Sequence, residues 1–165
     1  MSPGALKHCF PPVADARTRL LVLGSLPGEQ SLARGQYYAH PLNQFWRLIG
    51  GVIGAELVPL AYVARLAALL EAGVGLWDTV GSATRRGSLD GNIRDESAND
   101  LALFVATLPA LRAVAFNGGK SAALGMKQLA GAEGLALIRL PSSSPAYTLQ
   151  FVAKAAEWMK LQVFL

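Results

Sequence analysis

Leu20-Leu21-Val22-Leu23 runs straight into Gly24-Ser25-Leu26-Pro27-Gly28-Glu29-Gln30-Ser31 and, a few residues on, Tyr37-Tyr38-Ala39-His40-Pro41-Leu42-Asn43-Gln44-Phe45-Trp46. The short apolar run reads as a buried strand. Two glycines and a proline stop it sharply at its carboxyl end. In an open parallel α/β sheet, ligands bind just beyond the carboxyl ends of the strands. A tight polar loop, two tyrosines, a histidine and an asparagine therefore fall where a site is expected.

Working outward, residues 1–18 hold three prolines and read as an irregular arm. The first strand is expected over 19–24. A helix is expected over Gln44–Ile53, with Phe45, Leu48, Ile49 and Val52 at helical spacing. Asn43, just before it, suits an N-cap. Pro59 is placed to open a second helix, with Leu60, Val63, Leu66, Ala67 and Leu70 inward and Gly73 at its end. Val74–Trp77 is a second strand, followed by Asp78. Gly81–Asn99 is polar and reads as a long loop carrying Arg85, Arg86 and Arg94.

A third helix is expected over Ala98–Leu108, a strand over Leu111–Phe116 and a turn at Asn117-Gly118-Gly119-Lys120. A helix over Ser121–Ala130 and a strand over Leu135–Leu140 follow, the strand closed by Pro141-Ser142-Ser143-Ser144-Pro145. The last helix spans Thr148–Leu161, with Phe151, Val152, Ala155, Trp158 and Met159 inward. Alternating strands and helices imply an α/β fold: a three-layer α/β/α sandwich on a four-stranded, mainly parallel central sheet. The polar segments all follow strands, so they converge on one sheet edge.

Composition narrows the function classes. The 165 residues suit one domain, 1–165, and 52% hydrophobic against 16% charged argues against disorder. No apolar run is long enough to span a bilayer. MSPGALKHCF does not look like a signal peptide, and with a lone Cys9 the expected location is cytoplasmic, at the nucleoid. One cysteine excludes a cysteine-ligated iron–sulfur cluster, and His8 and His40 are too sparse for zinc. No metal or other cofactor is expected. A net charge of +4 permits an anionic partner without requiring one.

The segment GSLPGEQS…YYAHPLNQFW resembles the first motif of the uracil-DNA glycosylase superfamily, and is most similar to its hypoxanthine-DNA (deoxyinosine) glycosylase branch. GVGLWDTVGSATRRGSLDGNI, AVAFNGGKSA and LPSSSPAYT agree with later family segments in the same order. The resemblance implies a monomeric, monofunctional enzyme of base-excision repair. It would hydrolyse the N-glycosidic bond of a deaminated base in double- or single-stranded DNA, hypoxanthine first, uracil or xanthine next. The base must be flipped out of the stack into a pocket.

For that pocket, the resemblance puts Tyr38, then Tyr37, over the base. Asp78 would read the base edge, since a carboxylate accepts the ring N–H that hypoxanthine and uracil share; it reads equally as a loop aspartate. Asn117 is a second polar candidate. Asn43 resembles an asparagine implicated in the chemistry, positioning water or the leaving base, with His40 assisting. Leu26 stands where the superfamily often has Asp or Asn to hold water, so the usual water-holding group is missing. Glu29 is the only carboxylate in the loop and an alternative holder. Ser142, Ser143 and Ser144 resemble the motif that grips the strand, and equally read as a turn. Ser25, Ser31, Arg85, Arg86 and Lys120 would add phosphate contacts, and Ala146 or Tyr147 would fill the gap in the duplex. Two other readings compete: a mismatch-specific uracil/thymine-DNA glycosylase, and a non-catalytic DNA-binding relative that Leu26 favours. A nucleotide-binding or serine-hydrolase domain lacks its fingerprints here.

Overall fold

The computed structural model describes residues 5–165; the first four residues of the expected arm lie outside the described residues. The strands are β1 (Leu6–His8), β2 (Leu20–Gly24), β3 (Val74–Asp78), β4 (Val80–Arg85), β5 (Ile93–Ala98), β6 (Ala113–Asn117) and β7 (Ala136–Leu140). The α-helices are α1 (Glu29–Arg34), α2 (Phe45–Ile53), α3 (Tyr62–Ala72), α4 (Leu101–Val105), α5 (Gly119–Leu129) and α6 (Phe151–Met159).

Four strands form a parallel sheet in the order β3-β2-β6-β7. Strand β2 is buried along its whole length, as a central parallel strand covered on both faces must be. Alternation then divides the core. Leu20, Val22, Ala113 and Ala115 face the layer of α2, α3 and α6, anchored by Phe45, Leu69 and Trp158. Leu21, Leu23, Val114 and Phe116 face α4 and α5. Helix α5 closes on the sheet at Gly125, where any Cβ would run into the Phe116 ring.

The sequence runs from β2 to β3 on one side and later to β6 on the other, which makes a switch point at the carboxyl end of β2. Gly24 pairs with Asp78 and Asn117 with Leu140, so the strand ends carrying site residues stand level.

Several expectations need correcting. The long loop is a hairpin: β4 and β5 pair antiparallel, and β1, from the arm read as irregular, pairs with β4 to complete a second, three-stranded sheet. Its strands are polar because in β5 only Ile93 is buried, so no hydrophobic alternation marks them. Helix α3 starts at Tyr62, after Pro59, and buries Leu69 while Leu60 and Val63 face solvent. Alanine and leucine surround this helix, so spacing alone does not set its phase. Helix α4 is shorter than expected, starting after the Asp100 cap. In α6, Val152 and Met159 are exposed and Lys154 is buried instead. Among the described residues no helix is long and apolar enough to cross a membrane.

Candidate active site

A cavity of about 620 Å³ opens at the switch point. Its walls are the loop after β2, the Asp78 end of β3, the tip of the β4–β5 hairpin, Asn117 and the Ser142–Tyr147 turn.

Gly24 makes the floor possible. A Cβ there would lie 2.6 Å from Asp78 Oδ1 and 2.9 Å from the Tyr38 hydroxyl. Asp78 is buried, and its Oδ2 accepts no hydrogen bond among the described residues. Such an orphan costs about 1–3 kcal/mol. Burial, then the nearby Asp90 charge, push the Asp78 carboxyl up to about 7, with Arg85 opposing.

The two tyrosines separate cleanly. Tyr37 is a core residue: its hydroxyl donates to the Pro11 carbonyl at 2.9 Å and its ring packs edge-on against Phe10. Tyr38 takes a left-handed backbone conformation, φ 53°, which is uncommon for a side chain of this size. Trp46 Nε1 donates to its carbonyl at 3.2 Å, and its ring stacks on Phe45 with centroids 3.9 Å apart. Burial pushes the Tyr38 hydroxyl above its ordinary range, so it stays neutral.

The N-cap of α2 is Gln44, so the expected cap moves one residue along: Asn43 Oδ1 accepts the Phe45 N–H at 3.0 Å in a side-chain turn that leads into the helix, which leaves its Nδ2 to donate elsewhere. His40 Nδ1 accepts the Leu42 N–H at 3.1 Å, leaving Nε2 as the other ring nitrogen. Glu29 sits 3.7 Å from Lys7 with its carboxylate largely in solvent. All three line the cavity.

Asn117 is a clamp. Its Oδ1 accepts the Ser143 N–H at 2.9 Å, and its Nδ2 donates to Ser143 Oγ at 2.9 Å and to the Tyr38 hydroxyl at 3.3 Å. Its polar atoms are thus committed to holding the serine turn and the tyrosine. Ser142 Oγ accepts the Ser144 N–H and Ser144 Oγ the Ala146 N–H, so these hydroxyls also shape the turn. Ala146 and the half-exposed Tyr147 stand at the rim.

Some expected phosphate contacts lie elsewhere. Arg85 is 2% exposed and donates to the carbonyls of Leu26 and Pro27, a structural role rather than a surface one. Lys120 pairs with Glu96 at 2.7 Å, and neither it nor Arg86 lines the cavity. Ser31 does line the cavity, but it is buried and its hydroxyl accepts the Ala39 N–H at 3.0 Å, bracing the loop. Leu26 packs with Val80, Ala83 and Ile93 into a small core that seats the hairpin.

Two residues escaped the sequence reading. Asp90 lines the cavity from the hairpin tip, where it accepts from Ser25 Oγ at 2.5 Å and lies 3.7 Å from Arg85. The Asp90-Gly91 pair between strands was its signal, a common hairpin turn sequence. Lys154 is 1% exposed and donates to the Ser144 carbonyl at 3.1 Å, with the Tyr147 ring 5.5 Å away. Burial pushes its ammonium down. No sequence pattern marks a lysine that the turn covers.

Comparison with known proteins agrees with this geometry. A hypoxanthine DNA glycosylase of Methanosarcina acetivorans is 39% identical over 153 residues, 93% of this chain and 96% of that one. A second, from Methanosarcina barkeri, is 46% identical over 115 residues, 70% of this chain and 73% of that one. The solution NMR structure of a candidate uracil DNA glycosylase of Methanosarcina acetivorans superposes with a TM-score of 0.85 at 38% identity, covering 96% of this chain and 97% of that one. Residues 11–164, which hold every segment of the cavity wall, match the family as a whole, and the chain belongs to the Uracil DNA glycosylase superfamily.

Proposed function

We propose that this chain is a monofunctional DNA glycosylase that flips a deaminated base into the cavity and hydrolyses its N-glycosidic bond, with hypoxanthine as the preferred base. The observation that carries the reading is the Asp78 carboxyl, buried at the cavity floor with Oδ2 unpartnered. Hypoxanthine and uracil each place a ring N–H beside a carbonyl. A carboxylate accepts from the first; a neutral carboxyl also donates to the second. With its carboxyl pushed up to about 7, Asp78 holds a proton near neutral pH and suits both partners. The relatives named hypoxanthine DNA glycosylase support that base over the others.

Around this contact, Tyr38 stacks on the base, a contact worth roughly 1–3 kcal/mol. Asn43 Nδ2 orients the base or the water, and His40 Nε2 meets a phosphate or the sugar. The Ser142–Ser144 turn, held by Asn117 and Lys154, grips the strand, and Ala146 or Tyr147 fills the space the base leaves. Fixed dipoles at the charge that develops supply most of such catalysis. The chain works as one monomeric domain on DNA, in the cytoplasm at the nucleoid.

The test is a labelled duplex series, each member carrying one hypoxanthine, uracil, xanthine or G·T site, with alkali revealing abasic products. Cleavage at hypoxanthine that collapses in Asp78→Ala supports the reading. Duplex binding without product at any base favours the non-catalytic relative, and cleavage confined to G·T and G·U favours the mismatch enzyme.

A further inference from the structure

We propose that Asp90 is the carboxylate that holds the attacking water and takes its proton; the assignment rests on the glycosylase reading above.

The argument begins with Leu26. That side chain is buried among Val80, Ala83 and Ile93, so it offers water nothing and anchors the hairpin instead. The anchored hairpin brings Asp90 against the same loop. Ser25 Oγ, the residue before Leu26, donates to Asp90 Oδ1 at 2.5 Å. Arg85 lies 3.7 Å from that oxygen while donating to the Leu26 and Pro27 carbonyls. Thus Oδ1 is fixed by Ser25 and Arg85. The side chain is 41% exposed, on the cavity wall, where water reaches it.

Two other carboxylates line the cavity, and each suits the task less well. Asp78 is sealed in the floor, on the side where the base enters. Glu29 is paired with Lys7 and points to solvent. The Asp90 charge is near enough to raise both Asp78 and Tyr38, whereas Glu29 affects neither. Two carboxyls in unlike environments divide acid and base work in other hydrolases. Here Asp78 would face the leaving base and Asp90 the sugar.

The step balances. The C1′–N9 bond breaks and its electron pair leaves on the base. The water oxygen bonds to C1′, one water proton passes to Asp90 Oδ2, and the departing base gains a proton from Asp78 or solvent. Both carboxyls then re-equilibrate with water.

The experiment uses the full chain in single turnover on a hypoxanthine duplex, beside Asp90→Asn, Asp90→Ala and Glu29→Gln. Affinity is measured on a duplex carrying a non-cleavable 2′-fluoro deoxyinosine, and folding by thermal melting. Release by Asp90→Asn, which keeps an acceptor for Ser25 Oγ but loses the charge facing Arg85, should fall roughly 100-fold or more, with affinity unchanged and only a small drop in melting. Added formate should restore part of the Asp90→Ala rate, which a structural role would not allow. Retained rate in Asp90→Asn, a larger loss in Glu29→Gln, or loss of rate together with melting and no formate rescue would each overturn the assignment. Wild-type protein that releases no base would instead overturn the glycosylase reading, and this assignment with it.

Discussion

Ser25 at the end of the central strand and Asp90 at the tip of the hairpin meet through a hydrogen bond of 2.5 Å across 65 residues of chain. This contact, with Arg85 behind it, ties the polar second sheet to the loop that builds the cavity. The loop after β2 and the hairpin are therefore tied together.

Arg85 should be the keystone of that connection. Arg85→Met removes the donors that hold Leu26 and Pro27 and leaves their carbonyls unmet. We expect a loss of about 1–3 kcal/mol in denaturant unfolding. Hydrogen exchange should quicken at residues 86–92 well before it changes in β2 or β6.

Asn43 can be tested for its two roles separately. Asn43→Asp keeps an acceptor for the Phe45 N–H and lacks the Nδ2 donor; Asn43→Ala lacks both. Stability should fall by about 0.5–2 kcal/mol in the alanine variant and little in the aspartate variant. Base release should fall steeply in both. Full release by Asn43→Asp would leave the residue only its hydrogen bond to the Phe45 N–H.

Asp78 makes stability depend on pH with a definite sign. Its carboxyl sits at about 7 in the folded chain, above the ordinary carboxylate value. The native state then binds a proton that the unfolded chain has released, so stability falls as pH rises from about 4 through about 7. Each unit of separation is worth about 1.4 kcal/mol. Urea unfolding at intervals from pH 4 to 8 should show this decline in wild type and its absence in Asp78→Asn.

Asn117 should couple the serine turn to the tyrosine. Asn117→Ala strands the Ser143 N–H and frees the Tyr38 hydroxyl, at about 1–3 kcal/mol. Duplex affinity should weaken with it. Asn117→Asp keeps the acceptor for the Ser143 N–H and should recover part of both losses.

Gly24 lies against the ends of two site side chains. In Gly24→Ala the new methyl meets Asp78 Oδ1 and the Tyr38 hydroxyl together. Base release should drop more than stability does, because the clash falls on the cavity floor. Equal loss of both would place the strain in the strand instead.

The sequence by itself determined the α/β class, the central strand and the sheet edge on which the site lies. Apolar strands, glycine-rich turns and helical spacing are local signals, and Leu20–Leu23 with its glycine stop displays them all. Resemblance in four ordered segments indicated the family, which the match over residues 11–164 shows. Tertiary structure alone decided which tyrosine is core, that Arg85 is buried, that Lys154 lies beneath the serine turn, and that Gly81–Asn99 is a hairpin. Each of these depends on what a distant segment covers. The hairpin has a core of four buried residues, one of them Leu26 borrowed from the first loop, so its own strands carry too little apolar alternation to be read. A side chain's partners across dozens of residues leave no mark in its neighbours along the chain, and Asp90 came into view only when Ser25 was beside it.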